Sequence, residues 1–518
     1  MAELDPYTGP WTRREASHLL RRASFGASLA DIDKVVADGR AASLDVIFTP
    51  LPAPADPIDP LTGQPYTTGQ LDLSRGFQYY NRITKAWWLS LMYGTTRSIH
   101  EKLTLFWSNH FATEMTVVQQ PQQSLLLLKY LRTNAFGNFK EMARQVTIEP
   151  AMLRYLNGNV NTKGSPNENY ARELQELFTI GKGKEVAPGD YTTFTEQDVQ
   201  AAARVLTGWR DSRMGTTVQF VDRQHDTTDK VFSQRYGNTV IKGRTGQTAG
   251  NAELTDLINM IFDQPATSKH VLRRLYRWFV YHEITEDVER TIIEPLAEQL
   301  RSGGWNIGPV LKTLLSSEHF FSANMMGSQI KSPADFLVGT LKAITTFTPP
   351  TDATQKNQFY DALSISMAAL QMDLNDPPSV AGWEAYYQQP DYDRIWLTTA
   401  TLPLRNGATD SILVNSRGLG RPILDTIALT RTFTNPEDPY ALVDEMNIRF
   451  FAVPFPDATR ERLVLEVLLG GSGLAYDWTT EWQAFLSNTS NTQARQRVKL
   501  KLDTLYRYMF RMAEFHIG

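Results

Sequence analysis

SPNENYARELQELF, residues 165–178, packs three carboxylates, one arginine and two asparagines into about four helical turns. Tyr170, Ala171, Leu174, Leu177 and Phe178 recur at three- and four-residue spacing and form one apolar stripe, so the stretch reads as a helix with one buried face. Ser165, Pro166 and Glu168 have the form of an N-cap, a first-turn proline and the third member of a capping box. Arg172 lies four residues from both Glu168 and Glu176, a spacing that pairs charges along a helix. Caps and ion pairs explain most of this stretch without chemistry; Asn167 and Glu173, nearest the apolar face, they explain least.

The same periodicity runs through residues 75–94, 98–112, 123–133, 138–152, 196–209, 253–262, 268–282, 288–301, 307–317, 333–346 and 359–372, and through three or more stretches after Pro422. The expected fold is mainly α, a large multi-helix body. One small β-hairpin insert is expected at 216–242, where β-branched and aromatic residues alternate with turn formers. Residues 52–66, with five prolines, read as a surface loop, and 349–355 and 373–378 as shorter breaks. The division this suggests is a helical core at 1–348, its continuation with loops at 349–420, and a C-terminal helical layer or subdomain at 421–518.

A chain of 518 residues with 42% hydrophobic and 21% charged residues can bury a substantial core. Lys plus Arg number 52 against 56 Asp plus Glu, which leaves no global field to hold a nucleic acid. The absence of cysteine excludes disulfides, thiolate metal sites and a cysteine nucleophile. No apolar run reaches the length of a transmembrane helix. The N-terminal residues lack the basic start and apolar run of a secretory signal, so the cytoplasm is the default expectation and export with a partner the alternative.

Outside residues 165–178, three polar words stand out. WSNHFAT at 107–113 brings His110 onto an apolar stripe, where a histidine is usually a hydrogen-bonded core residue and otherwise a ligand. DRQHDTTDK at 222–230 sets His225 beside Asp226 on a turn, a pairing that suits a divalent ion, an acid/base pair or plain solvation. The basic helix at 269–279 carries Arg273, Arg274 and Arg277, expected to pair with acidic neighbours or, alternatively, to contact a phosphate or glycan. FTEQDV at 194–199 has a capping box in Thr195 and Asp198 and a staple in Phe194 and Val199. Walker, dinucleotide-binding, nucleophile-elbow, HExxH and EF-hand patterns are missing.

Taken together, HLLRRASFG at 18–26, LTLFWSNHFAT at 103–113, PNENYARELQELFTIG at 166–181, FTEQDVQAAARVLTGW at 194–209 and the His-Asp pair at 225–226 resemble the bacterial domain-of-unknown-function 1800 family. KHVLRRLYRWFV at 269–280, IKSP at 330–333 and PPSVAGW at 377–383 agree in order, so the resemblance covers about residues 14–405. It implies a helical fold and supplies no activity. Members commonly carry His-x-His where residues 108–110 read Ser-Asn-His, a departure that weakens a two-histidine metal site. The resemblance also implies a partner similar to the alkaline phosphatase and sulfatase superfamily, the product of a neighbouring gene.

Two functions follow as expectations. In the first, the polar words meet in one cleft: either His110, His225 and Asp226 hold a divalent metal such as Zn or Mn that activates water, or Glu173, oriented by Arg172 and flanked by Asn167 and Glu168, acts as a base. That is a hydrolase for an ester or glycan-type substrate, with Trp107 and Trp209 as cleft walls. In the second, the chain is a non-catalytic scaffold or accessory subunit of the phosphatase-like partner, and the polar centre is an internal network.

Overall fold

The computed structural model describes residues 3–68, 71–212, 215–414, 423–471 and 473–518. Helices begin where short polar side chains satisfy orphaned amides. Thr12 with Glu15, Ser28 with Asp31, and Thr195 with Asp198 close capping boxes at the starts of Arg13–Ala23, Leu29–Asp38 and Glu196–Val205. The third is the box read at residues 195–198, and Phe194 and Val199 beside it are both buried. The fold is mainly α, and the strands among the described residues form three two-stranded antiparallel ladders.

The ladders modify the expected insert. Val218–Phe220 pairs not within 216–242 but with Trp209–Asp211, which the sequence reading placed at the end of a helix. The helix stops at Val205 because Gly208 turns the chain at φ +95°, its N–H bonding the Asn161 carbonyl at 3.0 Å. Lys230–Val231 pairs with Val240–Ile241 inside the insert. Ile58–Asp59 pairs with Gln64–Pro65 in the proline-rich loop.

The capping box read at 165–168 does not form. Ser165 bonds back to the Thr162 carbonyl at 3.0 Å, and the helix starts later, at Asn169–Glu173. Its first amide, of Asn169, is taken by the Asn167 carboxamide at 3.0 Å, while the Asn167 N–H is held by Asn161 Oδ1 at 2.9 Å. A contact from an upstream loop thus displaces the local cap. After Glu173 the helix widens into a π turn, Leu174–Phe178.

One apolar core runs from Ala16 to Phe515 and contains Trp88, Trp107, Tyr276, Trp478 and Trp482. The C-terminal helices share it. Arg21, on the first helix, donates to the carbonyls of Ile448, Arg449 and Phe450 at the end of Pro439–Phe450, and Ile330 pairs with Ile517 in a single bridge. The division expected at 420/421 falls outside the described residues.

The first helix leaves through Gly26, at φ +77°, where a Cβ would stand 2.8 Å from the Gly339 Cα on Pro333–Ala343. Gly26→Ala is therefore expected to cost about 2–4 kcal/mol through strain and forced separation of the two segments. A urea midpoint unchanged by the substitution would show that the approach is not needed.

Candidate functional site

The π turn determines what surrounds residues 165–178. Its i→i+5 step leaves the last carbonyls without helical partners, and an apolar interior gives them no water. Three basic side chains take them. His110 Nε2 lies 2.9 Å from the Phe178 carbonyl, and His270 Nε2 lies 2.9 Å and Arg274 Nη1 3.3 Å from that of Leu177. A carbonyl only accepts, so each histidine carries its proton on Nε2. Burial, aided by the positive charge of Arg274, pushes His110 well below the ordinary histidine range and His270 down to about 3. Both rings are thus neutral donors. His110 is fully buried and packed by Phe106, Trp107, Phe111, Phe139 and Phe178.

The PPSVAGW word closes over the same helix end. Asn109 Oδ1 accepts the Trp383 N–H at 2.8 Å, Ser108 donates to Asn375 Oδ1 at 3.0 Å, and Arg274 reaches the Ala381 carbonyl at 3.4 Å. Gly382, at φ +89°, leaves room for this: a Cβ there would sit 2.2 Å from Asn109 Oδ1.

His225 and Asp226 belong to a second cluster. The His225 Nδ1–H donates to the Thr207 carbonyl at 2.9 Å, and Nε2 makes a close contact of 3.1 Å with Glu253 Oε1. Glu253 also accepts from Lys230 Nζ at 2.5 Å and from the Arg244 amide at 2.7 Å. His225, Lys230 and Glu253 are all completely buried. Burial alone would raise the Glu253 carboxyl, but the His225 ring and the Lys230 ammonium outweigh it and hold it below its ordinary value. Asp226 is likewise pulled down to about 2, since Arg204 and Thr228 more than offset its burial. Sequence reasoning set Lys230 in the same turn but missed Glu253. The available signal was Glu253 itself, a carboxylate beside Leu254 and Leu257 on the buried face of Ala249–Phe262.

The structure thus joins His110 directly to residues 165–178 and places His225 with Asp226 in the separate Glu253 cluster. The two regions are linked through the 161–167 loop, where Lys163 N–H bonds the Gln224 carbonyl at 2.8 Å. Among the described residues there is no group of three or more His, Asp or Glu side chains that could hold a metal ion. Arg172 grips Glu196 through two bonds of 2.7 and 2.6 Å and meets Glu168 at 3.4 Å. Trp107 and Trp209, expected as cleft walls, are buried, Trp107 donating to the Ala135 carbonyl and Trp209 packing on Phe220. Arg273 pairs with Glu289, as the basic helix led one to expect.

Glu173 stands apart. Its half-buried carboxyl makes no hydrogen bond among the described residues and is pushed up to about 7 by burial and by Glu176, against the pull of Arg172 and Lys182. Beside it the Tyr155 hydroxyl donates to Glu114 at 2.7 Å.

A sequence-family profile described as "Protein of unknown function (DUF1800)" matches residues 18–515. No curated protein and no solved structure matches the chain.

Two pH effects of opposite sign follow. His18, also held near 3, His110 and His270 stay neutral in the fold, while the unfolded chain protonates them near 6.5. Stability should be complete above that value and fall with acidification toward pH 3, by about 4 kcal/mol per pH unit for three protons. Denaturant midpoints from pH 7 to 4 check this, and a flat profile would refute it. Glu173 acts the other way: it binds its proton in the fold at about 7 rather than 4.5, so it destabilises progressively as pH rises between those values. Glu173→Gln should gain on the parent by about 1–2 kcal/mol between pH 4.5 and 7, after allowance for solvent screening.

Proposed function

The chain belongs to the DUF1800 family, whose description names no reaction, and we propose that it is a non-catalytic helical scaffold, an accessory subunit for a partner similar to the alkaline phosphatases and sulfatases. The observation that carries this reading is the capture of the Leu177 and Phe178 carbonyls by His110, His270 and Arg274. His110, Asn109 and His225 from the family's polar words then serve as fasteners between segments, bonding backbone groups that burial would otherwise leave unpaired.

The donor set argues in the same direction. A metal needs free lone pairs on neutral imidazoles. His110 offers only an Nδ1 enclosed by aromatic rings, and His225 only an Nε2 against Glu253, where the Lys230 ammonium already supplies the positive charge. A Zn or Mn ion at His225 and Asp226 would have to displace Lys230 or Arg204. The partner rests on the family resemblance.

One observation favours a hydrolase instead. Glu173 has the profile of a general acid/base, a carboxyl titrating near neutrality with no competing hydrogen bond among the described residues. Arg172 would then position it, with Asn167 and Glu168 at the helix start, for attack of water on an ester or glycan-type bond.

Elemental analysis of the full chain, with His110→Ala, His225→Ala and Glu173→Gln, separates these readings. The scaffold predicts no stoichiometric Zn or Mn, melting points several degrees lower in both histidine variants, and co-purification with a phosphatase-like protein. Removing a buried polar partner and its packing costs about 2–4 kcal/mol, which accounts for the lowered melting points. Stoichiometric metal lost in a folded His225→Ala protein would replace the scaffold by a metal hydrolase. Ester or glycoside turnover abolished in folded Glu173→Gln would replace it by carboxyl catalysis.

A further inference from the structure

Two family words, HLLRRASFG and IKSP, take no part in the centre around the π turn, yet they meet elsewhere. The end of Arg13–Ala23 and the chain leading into Pro333–Ala343 border a partly enclosed cavity of about 40 Å³. Five of its lining side chains are cationic, Arg21, Arg22, Lys102, Lys331 and Arg449, against one side-chain carboxylate, Asp335, with the main-chain carboxyl of Gly518 also on the lining.

The side-chain carboxylate is committed. Asp335 accepts the Ser332 hydroxyl at 2.8 Å and pairs with Lys102. Arg449 is paired with Glu445 at 2.8 Å. Among the described residues the other three cations bond only neutral groups: Arg21 the Ser17 hydroxyl and the carbonyls of residues 448–450, Arg22 the Met325 carbonyl at 3.0 Å and Ser328 Oγ at 2.8 Å, and Lys331 the Phe515 and Phe450 carbonyls at 2.6 and 3.4 Å. The further carboxylate in the field of Arg22, Asp393, accepts the Ile330 amide at 2.8 Å and faces His282 at 3.5 Å.

Arg22 is 4% exposed, and its Nε has no hydrogen-bond partner among the described residues. Behind Lys331, the fully buried Arg405 donates to the Lys331 carbonyl at 2.8 Å, and its Nε and Nη1 likewise have no partner among the described residues. Burial pushes Arg21 and Arg22 down to about 10 and Lys331 well below the ordinary lysine value, the last with repulsion from Arg21 and Arg405. Cations that outnumber the carboxylates in a low-dielectric recess repel one another, and a further anion among them lowers that cost. Two guanidinium forks and an ammonium are the donors that tetrahedral oxyanions select.

We propose that this cavity binds a tetrahedral oxyanion, phosphate or sulfate, with Arg21, Arg22 and Lys331 as its charge partners. The inference is independent of the scaffold reading.

The test is thermal unfolding and titration calorimetry of the full chain with inorganic phosphate, sulfate and phenyl phosphate, at low millimolar concentration and an ionic strength fixed with chloride. Binding raises the melting temperature by an equal step for each tenfold increase in phosphate above Kd, a rise chloride does not produce. Arg22→Gln should weaken binding by about tenfold or more, as loss of a charge-assisted bond does. Lys331→Gln serves the same purpose if the arginine variant fails to fold, and calorimetry on the parent needs neither. Binding of phenyl phosphate beside phosphate identifies the terminal group of a larger molecule as ligand; binding of phosphate alone identifies the free ion. Absence of calorimetric heat for both inorganic anions overturns the proposal. So does equal stabilisation of parent and folded variant, the signature of a salt excluded from the whole surface.

Discussion

Every buried helix end presents carbonyls that nothing within the helix can satisfy, buried turns and helix approaches do the same, and this chain meets that constraint with basic side chains drawn into the interior. His18 bonds the Phe320 carbonyl at 3.0 Å, His100 that of Arg132 at 2.8 Å, and Lys342 that of Thr95 at 2.6 Å. Arg21, His110, His270, Arg274 and Arg405 do the same elsewhere. An architecture of many short helices, several only five or six residues long, has many such ends for its volume. Packing one end against the next without water requires a long donor that reaches across, and histidine and arginine reach furthest for the apolar surface they bury.

Much of this was legible, because the signals are local. The 3.6-residue period gave the helices, and Thr195 with Asp198 gave a helix start that the structure reproduces. His110 was read on an apolar stripe, and it is there. The misreadings share one cause, a partner distant in sequence. Ser165 has every local mark of a cap, yet Asn161 and Asn167 take the role through a loop that pattern alone does not place. Trp209 continues a helical period, but the ladder with Phe220 and the backward turn at Gly208 draw it into a strand. His225 and Asp226 were visible as a pair; Glu253, which brings His225 and Lys230 together, lies on another helix.

The two kinds of buried charge in the molecule differ in energetic character. Around Glu253, the carboxylate meets the Lys230 ammonium at 2.5 Å and accepts the Arg244 amide at 2.7 Å, so desolvation is offset in place and removing either charge strands the other. Around Lys331 the hydrogen bonds among the described residues come from carbonyl dipoles, and Asp335 is already paired with Lys102. The first arrangement is closed. The second retains an unspent field, and for that reason the unread words of the first helix and of residues 330–333 are more informative about ligands than the words that first drew attention.

The π turn at Leu174–Phe178 has a geometric consequence of its own. One residue more than an α-helix needs for the same advance rotates everything downstream by about 100° relative to what precedes it. The segment therefore carries two phases: Asn169–Glu173 shows Arg172 toward Glu196, while at the end of the π turn the carbonyls of 177 and 178 swing toward the helices that bear His110 and His270. A helix of constant pitch could address one of those neighbours but not both. The extra residue works as a gear change, letting a single short segment mesh with two bodies of the fold set at different angles, and the spacing of residues 169–178 is therefore as much a part of the architecture as their identities.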